Sequence, residues 1–290
     1  MPQTLRQLPW LLRRTLVASI DDGLFALAKG AAYSGLLSLF PVLTSAAALS
    51  VQIRADYVRR KIEFFLSQVL PPGTEDAVLQ QFRYAGQRPP GLIVVAALLS
   101  LWAASSVVKS LIDGFNAAYR IPRNRSMLAH IGIGILLVFL SLVPMFGASS
   151  LILFGGTAER AALKLLKVDP VLNPLTGSLE LLFRAVRYVI AFSAAWALTA
   201  ILYYFGPYRK QRWRDVWRGA FLATVLWLLA TLGFSWYIRH ITNYNLLYGS
   251  IGTGIALLIW MYLLALIALF GCEFNAERDR IRIAEASGAW

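Results

Sequence analysis

Residues 249–272 read GSIGTGIALLIWMYLLALIALFGC, a stretch of 24 residues without Asp, Glu, Lys or Arg. A helix needs about 20 apolar residues to cross roughly 30 Å of hydrocarbon. The stretch is continuously apolar and lacks the alternation of a barrel strand, so it predicts a transmembrane helix. Similar charge-free stretches recur along the chain. Together they predict six spans, at about 30–53, 91–108, 131–154, 188–206, 219–238 and 249–272.

The composition of the 290-residue chain agrees with this class. Hydrophobic residues make up 58% and charged residues 15%, whereas soluble domains have about 25% charged residues. A water-soluble enzyme would expose too much apolar surface, and a disordered chain would be more polar. The single cysteine, Cys272, excludes a disulfide scaffold. We therefore predict an all-α fold, a polytopic membrane bundle of six transmembrane helices with amphipathic helices in the first two outside loops.

The basic residues predict the orientation of the bundle. The two short loops 109–125 and 209–218 hold nine basic residues and two acids, whereas the long loops near 54–90 and 155–187 mix both signs. Short loops carry most weight in the positive-inside rule, so both termini are expected in the cytoplasm. The domain prediction is a cytoplasmic amphipathic segment at 1–29, the transmembrane domain at 30–272 and a cytoplasmic tail at 273–290.

The net charge of +13 comes from 28 Lys and Arg against 15 Asp and Glu. These basic residues lie at the membrane borders and form no single stripe, and no nucleic-acid motif accompanies them. We expect anionic membrane lipids as partners and no nucleic acid, and a homo-oligomer is left open.

Amphipathic helices are predicted outside the spans as well. Near the N-terminus, Leu5, Leu8, Leu12, Leu16 and Ile20 share one helical face. That face fits either a helix on the inner membrane surface or one packed on the bundle. In the outside loops, apolar spacing and capping residues predict further helices. They are expected at about 54–70, at about 74–85, at 157–167, and from Ser178 into the fourth span.

Two spans carry a similar proline motif, LSLFP at 37–41 and LSLVP at 140–144. A proline inside a membrane helix frees a backbone carbonyl, and paired broken helices near the midplane are typical of transport sites. Static kinks that help packing are the alternative. A second pair, FNA at 115–117 and at 274–276, is compatible with repeated helical hairpins or with coincidence. The candidate path or hinge residues are Tyr33, Ser38, Pro41, Ser141 and Pro144.

Catalytic chemistry has no visible site. No charged residue lies inside a predicted span, which argues against a carrier that uses a midplane acid. His130 and His240 lie at span ends without ligand spacing, so no metal, cofactor or catalytic residue is expected.

Polar residues collect at the cytoplasmic border instead. They predict either a salt-bridged collar or a site for an anionic headgroup. Lys109 with Asp113, and Asn116 with Arg120, have the i,i+4 spacing of one polar helix face. The candidate collar residues are Lys109, Asn116, Tyr119, Arg120, Arg212, Arg214, Arg218, Glu273 and Asn275.

The sequence resembles the YihY/BrkB family of membrane proteins over about residues 21–278. The resemblance is carried by AAY at 31–33 with LLSLFP at 36–41, FNAAY at 115–119, WRDVWRGA at 213–220, and the closing stretch. In that closing stretch the matching residues include Tyr248, Gly249, Gly252, Trp260 and Gly271. Cys272 stands where the family pattern has alanine.

The resemblance implies a bacterial inner-membrane protein with six helices and both termini inside. It also brings a former ribonuclease label, ribonuclease BN, which the absence of a histidine-rich metal site argues against. We expect the protein to move or flip an anionic lipid or amphiphile in the cell envelope. The alternatives are an envelope scaffold that docks a partner through its outside helices and, last, a membrane-bound ribonuclease.

Overall fold

A computed structural model describes residues 3–52, 90–122, 129, 131–141, 144, 176–241 and 249–287. Within these ranges the chain is all-helical, which confirms the predicted fold class. The helices are α1 (Gln3–Asp21), α2 (Leu24–Gln52), α3 (Pro90–Ala118), α4 (Ile131–Ser141), α5 (Thr176–Phe205), α6 (Trp213–Ile241) and α7 (Gly249–Ala286).

Four of these helices contain segments long and apolar enough to cross a membrane: Ala97–Ala118, Leu181–Phe205, Trp213–Ile238 and Gly254–Ala286. Shorter apolar segments lie in the other two predicted spans, at Leu24–Leu39 and Ile131–Ser141. Six spans therefore remain a prediction, because the chain after Ser141 is described only at Pro144 until α5 begins. The predicted outside helices at 54–70, 74–85 and 157–167 lie outside the described residues.

Helices α2, α3, α5, α6 and α7 all extend beyond their predicted spans, and three of them extend furthest. Helix α3 does not end at residue 108 but continues through Lys109 and Asp113 to Ala118. Helix α5 begins at Thr176, so the predicted helix from Ser178 into the fourth span is confirmed. Helix α7 has 38 residues and is about 57 Å long. It is longer than the roughly 30 Å of bilayer hydrocarbon, so its last turns project beyond it.

Helix α7 lies at the centre of the bundle, where it packs against α1, α2, α3 and α6. Helices α2 and α3 lie along each other and share a hydroxyl pair, Ser45 and Ser100, whose oxygens are 2.8 Å apart. Aromatic rings join α5 to α6, with Trp213 stacked on Tyr204 at a centroid distance of 4.3 Å. Large apolar side chains such as Trp102 point outward, as expected of a surface that faces lipid.

Small residues form much of the core. Alanine side chains let helix backbones approach closely, which is how helices associate in membranes. The fully or almost fully buried alanines of the central cluster are Ala28, Ala31, Ala118, Ala200, Ala220 and Ala223.

Helix α1 combines the two arrangements that its sequence allowed. Its small polar residues Thr15 and Ser19 are buried where the helix packs on the bundle. Its apolar residues Leu8, Leu16 and Ile20 are exposed on the outside. The leucine face is thus available to a bilayer surface while the opposite face holds the helix to α7.

Candidate functional site

The candidate site lies at the basic end of the bundle. We use this name for the end at which α3 finishes, residues 206–212 connect α5 to α6, and α7 extends past Cys272. The predicted orientation places this end in the cytoplasm.

Helices α6 and α7 cross here at two glycines. A Cβ atom on Gly271 would lie 2.6 Å from the Tyr203 hydroxyl and 2.7 Å from the Gly219 carbonyl oxygen. A Cβ on Gly219 would in turn contact the Gly271 carbonyl and lie 2.5 Å from Asn275. Ordinary side-chain contacts are longer than this, so only glycine at both positions allows the two backbones to touch.

The two FNA motifs share a structural role at this crossing. Asn275 Oδ1 accepts a hydrogen bond from the Gly219 N–H at 2.8 Å, and its Nδ2 donates to the Val216 carbonyl at 3.0 Å. Asn116 Oδ1 accepts from the Tyr208 N–H at 2.8 Å. Both asparagines are buried, and Asn116 bonds to the connection between α5 and α6 whereas Asn275 bonds to the first turns of α6. The structure therefore uses these two predicted collar residues to fix the backbone.

Arg120 lies beyond the end of α3, so it does not belong to the polar helix face that its i,i+4 spacing from Asn116 predicts. The Ile121 N–H bonds to the Asn116 carbonyl, and the Arg120 N–H bonds to that of Ala117. These two bonds form a Schellman cap, with Arg120 in the left-handed region at φ 55°. The Arg120 guanidinium then pairs with Asp22 at 3.0 Å.

The extension of α7, residues 273–286, forms an ion-pair cluster with the N-terminal part of the chain. Arg280 pairs with Glu273 at 3.0 Å, with Glu277, and with Asp22 at 3.5 Å. Arg14 of α1 also pairs with Glu277, at 2.5 Å. Every carboxylate in this cluster is largely buried. The cluster therefore anchors both α1 and the start of α2 to α7.

A second group of ion pairs connects the same extension to the segment before α6. Arg209 pairs with Asp279, and Arg282 pairs with both Asp215 and Asp279. The i,i+3 spacing of Asp279 with Arg282 is a sequence signal for such a pair on a helix. Their long-range partners carry no sequence signal, so neither Asp279 nor Arg282 was among the predicted collar residues.

Glu273 is completely buried at the start of this extension. It follows Gly249 by 24 positions, which is about 36 Å along a helix and beyond the hydrocarbon. Burial raises the pKa of its carboxyl to about 7, although Arg280 favours the charged form. One of its oxygens accepts from Arg280, and the other has no hydrogen-bond partner.

Two further predicted collar residues, Tyr119 and Lys109, pack against neighbouring side chains or helices. The Arg209 guanidinium lies over the Tyr119 ring at 4.5 Å, and burial raises the pKa of the Tyr119 hydroxyl. The stem of Lys109 lies where α4 packs on α3, because a Cβ on Gly134 would be 3.1 Å from Lys109 Cγ.

Four exposed cations of the basic end form no ion pair within the described parts of the chain. They are Lys210, Arg212, Arg214 and Arg218, and all are exposed. Lys210 and Arg212 line an open groove of about 700 Å³ together with Arg209, Gln211, Asp215, Arg282 and Ser287. The Asp215 carboxylate of this lining pairs with Arg282. An anion that enters the groove would therefore meet two cations, Lys210 and Arg212, that form no ion pair with a described carboxylate.

A cavity of about 300 Å³ lies deeper in the bundle, between α2, α3, α6 and α7. Its lining is almost entirely apolar. The residues that line it are Ala31, Gly35, Ser38, Leu39, Val42, Val107, Leu111, Trp227, Trp260, Met261, Leu264, Ala265 and Ala268.

Of the five predicted path residues, only Ser38 lines this cavity. Ser38 donates to the Gly35 carbonyl at 2.8 Å, and Ser141 makes the equivalent bond to Val138 at 2.7 Å. The two proline motifs thus share a local hydrogen bond, three residues before each proline. However, Tyr33 is 61% exposed on the outside, and α4 contributes nothing to the lining.

The residues of the closing family motif, between positions 248 and 271, lie in different parts of the structure. Gly249 begins α7, Gly252 is buried, Gly271 forms the helix crossing, and Trp260 lines the cavity. Tyr248 lies outside the described residues.

The long apolar helices and the charged basic end define a polytopic α-helical membrane protein. The sequence model of the family described as "Virulence factor BrkB" matches residues 16–289, and the chain belongs to this family. The resemblance found in the sequence is therefore confirmed.

Relatives of similar length support this assignment. A ribonuclease-like protein, YfkH, of Bacillus subtilis is 30% identical over 253 residues, which cover 84% of this chain and 86% of YfkH. A UPF0761 membrane protein of Tolumonas auensis is 29% identical over 256 residues, which cover 88% of this chain and 80% of the relative. A UPF0761 membrane protein of Pseudoalteromonas translucida is 26% identical over 274 residues, which cover 94% of this chain and 87% of the relative. No solved structure matches the chain.

Proposed function

We propose that the chain is a protein of the bacterial cytoplasmic membrane, with both termini in the cytoplasm, that binds an anionic amphiphile and moves it across the bilayer. The observation that carries this proposal is the exposed groove with Lys210 and Arg212. The two other cations of its lining, Arg209 and Arg282, both pair with Asp279 of α7, whereas Lys210 and Arg212 are available to a ligand.

The position of the groove suits a lipid headgroup. Residues 209–212 directly follow the apolar helix α5, so their cations lie at a membrane border. A cation near an anionic membrane surface contributes about 1 kcal/mol of attraction. Trp213 and Tyr204 stack beside the groove, as aromatic residues do at the level of the headgroups.

The apolar cavity next to Pro41 supports the movement of a chain through the protein. It lies between the α2–α3 pair and the α6–α7 pair, along the proline-bearing helix. The candidate path is therefore α2 with α3, α6 and α7, without the α4 contribution that the sequence suggested.

Reconstitution tests this proposal directly. The protein is placed in liposomes with labelled phosphatidylglycerol or labelled phosphatidylcholine, and transfer between leaflets is measured. The variant with Lys210→Gln and Arg212→Gln is expected to move phosphatidylglycerol roughly tenfold more slowly. A control with Arg13→Gln and Arg184→Gln removes the same charge from exposed positions outside the groove and should leave the rate unchanged. Transfer no faster than in protein-free liposomes, with several anionic lipids, would refute the proposal.

The alternatives have weaker support. The scaffold role depends on outside helices that lie beyond the described residues. RNA cleavage is suggested only by the name of the Bacillus relative. In the part of the chain that the structure describes, no group of three or more His, Cys, Asp or Glu is arranged to hold a metal.

A further inference from the structure

The apolar cavity contains a hydrogen-bond donor without a partner. The indole Nε1 of Trp260 is buried and has no hydrogen-bond partner among the residues that the structure describes, although the ring lines the cavity. The second tryptophan of the lining, Trp227, donates from its Nε1 to the Leu264 carbonyl at 2.7 Å. Of the two indoles in the lining, one N–H therefore has a hydrogen-bond acceptor and the other does not.

The depth of Trp260 makes this difference costly. Trp260 lies 11 residues after the start of α7 at Gly249 and 12 before Cys272, so it is about 17 Å from either end of the predicted span. That position is close to the midplane of a bilayer with roughly 30 Å of hydrocarbon. An unsatisfied donor is most unfavourable there, because no water is present to replace the missing partner.

The described cavity wall forms no hydrogen bond with this donor. The one hydroxyl among its described lining residues, that of Ser38, donates to the Gly35 carbonyl within α2 and does not bond to Trp260. At one side the lining reaches Val42, which is 41% exposed on the outer surface of the bundle. Because that surface faces hydrocarbon, the occupant has to come from the membrane and has to be apolar, with one acceptor.

We propose that the cavity takes an acyl chain of a membrane amphiphile and that the Trp260 N–H donates to the carbonyl oxygen of its acyl linkage. This inference rests on the proposed function and specifies its ligand. A resting lipid keeps its acyl carbonyls near the membrane surface, about 15 Å from the midplane. Trp260 therefore contacts the carbonyl of a lipid that is in transit, at the depth where that carbonyl has lost its water.

The test uses two lipids that differ only in this carbonyl, ester-linked dioleoyl phosphatidylglycerol and its dialkyl ether analogue. Retention of each lipid by the purified protein and its transfer rate in liposomes are measured for wild type, Trp260→Phe and Trp227→Phe. The ester-to-ether ratio is taken within each preparation, so differences in the folded fraction cancel. One neutral hydrogen bond corresponds to a preference of roughly two- to tenfold.

The expected result is an ester preference in wild type and in Trp227→Phe that is lost in Trp260→Phe. If wild type moves both lipids equally and retains both equally, the role of Trp260 is overturned while the proposed function stands. If neither lipid moves but the ester is retained preferentially through Trp260, the binding site stands and transport fails. A preference that persists in Trp260→Phe also overturns the role of Trp260. If Trp260→Phe does not fold, Trp260→Met is measured in its place, and equal handling of the two lipids by wild type still overturns the role of Trp260.

Discussion

The crossing of α6 and α7 provides a quantitative prediction, in which Gly219 or Gly271 is changed to alanine. In Gly271→Ala the new methyl would lie 2.6–2.7 Å from three atoms, whereas ordinary van der Waals contact begins at 3.4 Å. The helices would have to separate by about 0.7 Å at the crossing. Overpacking of this kind costs about 1–3 kcal/mol. The higher helix propensity of alanine offsets about 0.5–1 kcal/mol of this cost.

Gly219→Ala is expected to be the more harmful change. Its methyl would contact the Gly271 carbonyl and the Asn275 amide, so the two hydrogen bonds of Asn275 are at risk. Each of these bonds contributes about 1 kcal/mol. We expect a net loss of roughly 2–4 kcal/mol for Gly219→Ala and roughly 1–2 kcal/mol for Gly271→Ala.

Thermal unfolding in detergent micelles, followed by tryptophan fluorescence, measures this loss. At about 2–4 °C per kcal/mol, Gly219→Ala should lower Tm by roughly 4–16 °C. Gly233→Ala in α6 and Gly254→Ala in α7 are matched controls, because nothing lies within 4 Å of their added methyl groups. Both controls should be neutral or slightly stabilised. Equal Tm values for Gly219→Ala and Gly233→Ala would refute the close approach of the two backbones.

Two further predictions concern the same end of the bundle. Asn275→Ala should lower the free energy of unfolding by about 1–3 kcal/mol, because the Val216 carbonyl and the Gly219 N–H lose a buried partner. The Tm in the same assay measures this loss, and an unchanged Tm would contradict it. Burial raises the pKa of Glu273 from 4.5 to about 7, so the folded state binds its proton more tightly than the unfolded state. Its contribution to stability is therefore present below pH 4.5 and is lost as the pH rises to 7. The Tm of Glu273→Gln minus the Tm of wild type should therefore increase as the pH rises from 5 to 8. If the two Tm profiles run parallel over this range, Glu273 does not make this pH-dependent contribution to stability.

The positions of the helices could be predicted from the sequence because a charge-free apolar stretch of this length is typical of a helix that crosses a membrane. The position at which α3 ends could not be predicted from the sequence. A helix of this kind commonly ends with glycine in the left-handed position, whereas here Arg120 occupies it. The conformation is held by Asp22, which lies 98 residues away in sequence and pairs with Arg120.

The sequence predicts which polar residues lie at the candidate site, but it does not predict which of them contact each other. The polar residues of the border were identified from their positions next to apolar spans. Their roles depend on contacts between distant segments, such as Asn275 with Gly219 and Arg209 with Asp279. The exposed and the neutralised cations have the same local sequence context, so only the fold distinguishes Arg212 from Arg209.

The touching backbones of Gly219 and Gly271 have a steric consequence. Two helices in direct backbone contact, bridged by Asn275, leave no room for a ligand between them at this level. The cavity lies on the other side of α7, where α2 and α3 complete its lining. An occupant of the cavity therefore has to reach the basic end beside the α6–α7 crossing and not through it.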